Sequence, residues 1–148
     1  MKKRHILFIS AWYPTRMDPF NGDFVQRHAR AVSNIHKVST IHCEGDFNID
    51  QWEYEQIDQG ENMTEYYSYF PKSKFPVLNF INKIRGLSKG YKKLSNVDII
   101  HANVVHYHFL WLLFQKAPYV ITEHATHYLR LEKLKNYWLK SFDDSLKG

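Results

Sequence analysis

The chain has 148 residues, 44% of them hydrophobic and 16% aromatic, and a formal net charge of +5. That composition excludes a disordered tail and predicts one folded domain with a real core, while no stretch approaches the ~18 apolar residues a membrane span requires. The single cysteine, Cys43, excludes a disulfide framework and reads as a small core residue at a strand end rather than a nucleophile.

The basic start Met1-Lys2-Lys3-Arg4 ahead of His5 to Ile9 mimics a signal peptide. The apolar run is too short for one and Pro14 follows without a small-residue cleavage site, so the start reads as cytoplasmic. Ile6-Leu7-Phe8-Ile9 is apolar on consecutive positions, which predicts a strand covered on both faces at the centre of a parallel sheet. After the loop through Ser10-Ala11-Trp12-Tyr13-Pro14 and Pro19-Phe20-Asn21-Gly22, a helix is expected from Asp23 to Asn34. Its signals are an Asp23 and Gln26 capping box, an apolar face of Phe24, Val25, His28, Ala29, Val32 and Ile35, and a polar face of Gln26, Arg27, Arg30 and Ser33. Gly22 would let a phosphate approach the helix's unpaired N–H groups and the positive end of its dipole. An Asn-Gly pair is also an ordinary turn before a helix.

Val38, Thr40, Ile41 and Cys43 mark a second strand parallel to the first. Residues 51–57 and 63–70 flank the turn-rich Asp58-Gln59-Gly60-Glu61-Asn62 as a hairpin. Past the linker Pro71 to Pro76, Val77, Phe80, Ile81, Ile84, Leu87, Tyr91 and Leu94 mark a long amphipathic helix that Gly86 and Gly90 weaken slightly. The charges are segregated: Glu44 to Glu65 is acidic, Lys72 to Lys93 basic. On the long helix Lys83, Arg85, Lys89, Lys92 and Lys93 suit a solvated face, an anionic membrane surface or nucleic acid, in that order, since no nucleic-acid module surrounds them.

The last third repeats strand and helix. Val97 to Ala102 is a buried-type strand, Val104 to Gln115 a helix apolar nearly all round, Tyr119 to Thr122 a strand, and a further helix starts near Leu129 with Leu131, Leu134, Trp138 and Phe142. The whole predicts an α/β domain with a mainly parallel sheet and a β-hairpin at about 51–70. In such sheets ligands bind outside the carboxyl ends of the strands, where Ser10 to Gly22, Ala102 to His106 and Glu123 to Tyr128 should converge. His101, His106, His108, His124 and His127 lie on or beside two of those ends and bring a metal site into consideration. However, Glu123-His124-Ala125-Thr126-His127 is not His-Glu-x-x-His, and no Gly-x-Ser-x-Gly nucleophile elbow occurs.

Three pieces together carry a resemblance: Ser10-Ala11-Trp12-Tyr13-Pro14 with Pro19 to Val25 and His28-Ala29, then Asp98-Ile99-Ile100-His101-Ala102, then Val120-Ile121-Thr122-Glu123-His124. In this order, each at a predicted strand end, they resemble the N-terminal domain of a family 4 glycosyltransferase of the GT-B fold. The resemblance spans nearly the whole chain. It implies a Rossmann-like three-layer domain over 1–148, mainly binding the acceptor, and a nucleotide-diphosphate sugar held as donor by a second such domain that this chain lacks. It implies that Gly22, with Asn21, lies in the donor-phosphate loop and that His124 is the catalytic residue facing the reacting sugar. Asn103, His106, Glu123 and His127 would line the acceptor side, with Arg16 as an anion contact and no metal or cofactor.

The function implied is sugar transfer, with retention favoured, to a glycan or lipid-linked acceptor, as in cell-surface polysaccharide synthesis. The start of the chain reads as cytoplasmic, and, if the acceptor is lipid-linked, the basic helix predicts peripheral contact with an anionic membrane through Lys83, Arg85, Lys89 and Lys92. The chain alone should be inactive, because the cations that stabilise a leaving diphosphate would lie in the other domain. Two readings of other classes stay open, a stand-alone anion-binding module and a metal-dependent hydrolase built on the histidine cluster.

Overall fold

Side chains on both faces of β1 (His5–Ser10) explain why it sits inside the sheet. Leu7 and Ile9 pack into one core, Phe8 into the other, and all three are buried. A computed structural model describes residues 2–104 and 108–123. In chain order β1 is followed by α1 (Asp23–Ser33), β2 (Lys37–Asp46), β3 (Glu53–Asp58), β4 (Met63–Pro71), α2 (Pro76–Lys92), β5 (Ile99–Asn103), α3 (His108–Leu112) and β6 (Tyr119–Thr122). The sheet order is β3-β4-β2-β1-β5-β6. Every neighbouring pair is parallel except β3 with β4, the expected hairpin. The protein is thus α/β with a mostly parallel six-stranded sheet flanked by helices, compatible with a Rossmann-like three-layer fold.

The alternation of side chains along each strand divides the interior. Phe8, Val38, Met63, Tyr67 and Tyr69 meet Val25 and Ala29 of α1 on one face. Leu7, Ile9, Ile41, Ile100 and Ala102 meet Leu87 of α2 and Trp111 and Leu112 of α3 on the other. Trp111 Nε1 also donates to Ser88 Oγ, tying α3 to α2 at 3.1 Å. From β1 the chain goes by α1 to β2 on one side. It reaches β5 on β1's other side only after α2 has crossed the sheet. The strand order therefore reverses between β1 and β5, and loops leaving their carboxyl ends diverge.

Gly86 and Gly90, which sequence reads as weak points, are what allow α2 to lie on β2. A Cβ on Gly86 would overlap Cys43 Sγ, and one on Gly90 would stand 2.7 Å from Ile41 Cγ2. Spaced four apart, they form one flat strip along the helix. Cys43 is buried as expected, and burial pushes its thiol up to about 12, which leaves it protonated and inert.

Three expectations are corrected. The capping box is absent: the N-cap of α1 is Gly22, with no side-chain cap, and Gln26 turns instead toward the sheet. His28 and Ile35 are exposed rather than buried. The helix expected from Val104 is, within the described residues, only His108–Leu112, because Val104 sits at φ 53, outside helical backbone. Apolar nearly all round, that segment leaves Phe109, Leu110, Leu113 and Phe114 exposed. The helix expected from Leu129 lies outside the described residues. Among those described, no helix is long and apolar enough to cross a membrane.

Replacing either glycine of α2 by alanine tests the flat strip. Alanine favours an isolated helix by up to ~1 kcal/mol, but here overpacking should dominate. Gly86→Ala and Gly90→Ala should each lower stability by about 1–3 kcal/mol, read by urea denaturation. A neutral or stabilising outcome would show that α2 does not approach β2 this closely.

Candidate functional site at the carboxyl ends of the strands

Backbone register aligns the three strand ends. Ser10 is level with Asn103, and Asn103 with Thr122, so a single row crosses β1, β5 and β6 where their loops begin. Asn103 is fully buried; among the described residues its Nδ2 reaches only the His101 carbonyl, at 3.4 Å, and its Oδ1 has no hydrogen-bond partner. A buried acceptor left unmet is costly. The next residue, Val104, holds a left-handed backbone that β-branched side chains strongly disfavour, and its N–H donates to the Thr122 carbonyl at 3.0 Å. The edge between β5 and β6 thus carries strain and, among the described residues, an unused acceptor. His101 is packed against Phe8, with ring centroids 4.7 Å apart, and its Nε2 lies 2.8 Å from Thr122 Oγ1.

The loop after β1 is held by its own polar groups. Trp12 N–H donates to Ser10 Oγ, and Met17 and Asp18 N–H to Thr15 Oγ1. The Phe20 N–H donates to Asp18 Oδ1. Such side-chain-to-backbone bonds fix turns locally. Gly22 closes the loop: at φ 66, a Cβ there would overlap the Trp12 carbonyl group and come within 2.8 Å of Tyr13 N. Only glycine fits both the left-handed backbone and this approach. Gly22 and the half-buried Asn21 therefore press the start of α1 against the first residues after β1. The first turn of α1 already holds a carboxylate, Asp23, paired with Arg27 at 3.3 Å.

The group that anchors this loop to the sheet was not singled out from sequence. Glu65 on β4 is fully buried. Its Oε1 accepts from Tyr13 Oη at 2.6 Å and Gln26 Nε2 at 2.9 Å; its Oε2 accepts from Gln59 Nε2 at 2.9 Å and Tyr67 Oη at 3.3 Å. Four donors suit an ionised carboxylate, which only accepts. Burial, then the Glu65 charge, pushes the Tyr13 and Tyr67 phenols up, so both remain donors at any ordinary pH. A sequence signal did exist. Met63, Glu65, Tyr67 and Tyr69 alternate on one strand face, and a charge on a face of that kind needs partners.

Arg16 is enclosed by carboxylates. Its guanidinium lies 2.9 Å from Asp46, 2.5 Å from Glu53 and 3.6 Å from Glu55, over the Tyr69 ring at 4.0 Å. Its charge is already met, which leaves little for an anion to use. The Asp46 carboxyl is held below its ordinary value first by the Asn48 N–H and then by Arg16. Glu44 is lowered first by His42, whose Nε2 lies 3.6 Å away.

Glu123 follows β6 at the same edge and is half-buried. His106, His124 and His127 lie outside the described residues. Among the described residues no group of three or more His, Cys, Asp or Glu is placed to hold a metal ion. The row of strand ends thus brings together Ser10, Asn103, Thr122 and Glu123 with the Gly22 turn nearby, while Arg16 is committed elsewhere. A scan against protein-family models and a search of curated proteins found no match to the chain.

Two measurements check this geometry. Glu65→Leu leaves the buried Tyr13 and Tyr67 hydroxyls unmet and takes the shared acceptor from the Gln26 and Gln59 amides, and should cost about 3 kcal/mol or more. Glu65→Gln should cost clearly less, because a flipped Gln59 amide can pair with the new one; equal costs would mean that the four donors are not held as described. For Arg16, the sign follows from lowered carboxyl values. The Asp46 contribution to stability is complete above its ordinary value of 3.8 and is lost as pH falls through the lower folded value. The stability gap between the parent and Arg16→Met, measured by urea titration, should therefore narrow as pH drops through that window. A constant gap would detach Arg16 from Asp46.

Proposed function

We propose that the chain is the acceptor-binding N-terminal domain of a glycosyltransferase that takes a sugar from a nucleotide-diphosphate sugar. The observation that carries this reading is the aligned row of strand ends. The three segments that resemble family 4 glycosyltransferases leave β1, β5 and β6 side by side, at Ser10, Asn103 and Thr122. An open parallel sheet recruits ligands at that edge, beside the reversal of strand order.

In this reading the Gly22 turn, held against Trp12, presents the backbone that approaches the donor diphosphate. Asn103 offers an acceptor oxygen to an incoming hydroxyl, and Glu123 faces the same edge. His124, directly after Glu123, orients the reacting sugar or the acceptor hydroxyl. Arg16 is set aside as an anion contact, since Asp46 and Glu53 already neutralise it. The cations needed by a leaving diphosphate come from a second domain. The acceptor is a glycan or a lipid-linked sugar, the setting is cell-surface polysaccharide synthesis on the cytoplasmic side, and no metal takes part.

Calorimetric titration with uridine and guanosine diphosphate sugars tests the division of labour. The chain alone should bind them only in the millimolar range, as expected without a cationic clamp, and should transfer nothing until a separately expressed donor-binding half is added. Micromolar binding or turnover by the chain alone would overthrow the reading and favour a stand-alone anion-binding module. In the two-domain enzyme, His124→Ala should cut turnover at least ~100-fold with a smaller change in donor affinity; unchanged turnover would remove it from the site.

A further inference from the structure

A residue that is to meet an incoming hydroxyl has to be reachable, and Asn103 is shut in. It has no exposed surface, its Oδ1 has no hydrogen-bond partner among the described residues, and the next residue, Val104, is only 7% exposed while holding φ 53. Two costs therefore fall on one peptide step. A β-branched residue in the left-handed region is strained, and a buried acceptor without a donor has given up water for nothing. Both costs vanish together if Val104 relaxes to extended backbone and Asn103 turns out to the strand edge.

What opposes that release is local. The Val104 N–H donates to the Thr122 carbonyl at 3.0 Å, and His101 Nε2 lies 2.8 Å from Thr122 Oγ1, so Thr122 is gripped through both its backbone and its side chain. Thr122 ends β6, the last strand in the sheet order, whose Tyr119, Val120 and Ile121 are all exposed. Little buried apolar surface holds that end. Toward the sheet centre the row is firmer, since Ser10 is buried and its hydroxyl already accepts from the Trp12 N–H. Segments with little buried apolar surface open at far lower free energy than the core. The strain thus sits where the sheet yields most easily.

We infer that the end of β5 is a two-position catch. In the closed position Thr122 holds Val104 left-handed and Asn103 out of reach. In the open one Val104 is extended and Asn103 Oδ1 faces the row of strand ends. Because Oδ1 only accepts, the group that selects the open position is a hydrogen-bond donor; in an acceptor sugar that donor is a hydroxyl. The catch itself follows from the geometry, and only the sugar as its ligand rests on the transfer reading.

Amide hydrogen exchange of the full chain, followed by NMR and corrected for intrinsic rates, reads the catch through the Val104 N–H. In the parent this amide should exchange at least ~100-fold faster than those of Leu7 and Phe8 in β1, with little response to low urea, because a local opening exposes little surface. Val104→Asn and Val104→Gly bring residues that accept positive φ and should slow it about tenfold by favouring the closed position. Asn103→Leu, which buries no amide, should slow it too, while Thr122→Val removes the Oγ1 grip and should quicken it. A Val104 amide as protected as those of β1, or slowed by none of the first three variants, would overturn the catch. Methyl glucoside and methyl mannoside, as hydroxyl probes, should shift the Asn103 carboxamide signals of the parent, and Val104→Gly should need about tenfold more of either, since a rarer open position weakens apparent affinity in proportion. No response in the parent, or an equal one in the variant, would overturn the sugar as the ligand; failure of the transfer reading itself shows instead in the donor titration.

Discussion

A carboxylate cut off from water must find donors, and at Glu65 those donors come from elements far apart in the chain. Tyr13 belongs to the loop after β1, Gln26 to α1, Gln59 to the turn between β3 and β4, and Tyr67 to β4 itself. An uncompensated charge there would cost several kcal/mol, so these segments can occupy only positions that reach it. The contact reaches across β2, because β4 and β1 are not neighbours in the sheet. With Gly22 pressed on Trp12 from the other end, the loop is fastened at both ends before any ligand arrives. A loop so organised has little freedom left to lose.

The same economy of geometry appears in α2. Two missing side chains, at Gly86 and Gly90, bring one half of the helix onto β2 at backbone distance, and that fixed seat sends the other half beyond the strand end. Packing and exposure in this helix are a single fact. Its buried end closes one core, and its first turns stay exposed at Val77, Leu78 and Ile81.

Much of this was legible in the sequence because hydrophobic period reports burial directly. The consecutive apolar run of β1, the alternating aromatics of the hairpin and the spacing along α2 each led to the element found. What sequence missed were relations between distant residues. Asp23 and Gln26 match a capping box locally, yet Gln26 is claimed by Glu65, thirty-nine positions on. Gly86 and Gly90 read as helix weakeners because nothing nearby in sequence shows the strand they lie on. Arg16, an anion contact by resemblance, has Asp46 and Glu53 folded against it. Within the candidate site, the strand pattern put the ends at Ile9, Ala102 and Thr122, one residue short of the observed Ser10 and Asn103 in the first two. The strain at Val104 was not legible, since backbone conformation at a single valine leaves no compositional trace.

The hairpin that begins the sheet has a consequence of its own. β3 is an antiparallel edge strand whose charged residues are Glu53, Glu55 and Asp58, all acidic. An unpaired strand edge is a template on which other chains can stack, but another copy of β3 brought alongside this one would set like charges side by side in the ladder. The acidic stretch is therefore a selvedge: it finishes the sheet on that side with charges that oppose pairing to a like strand.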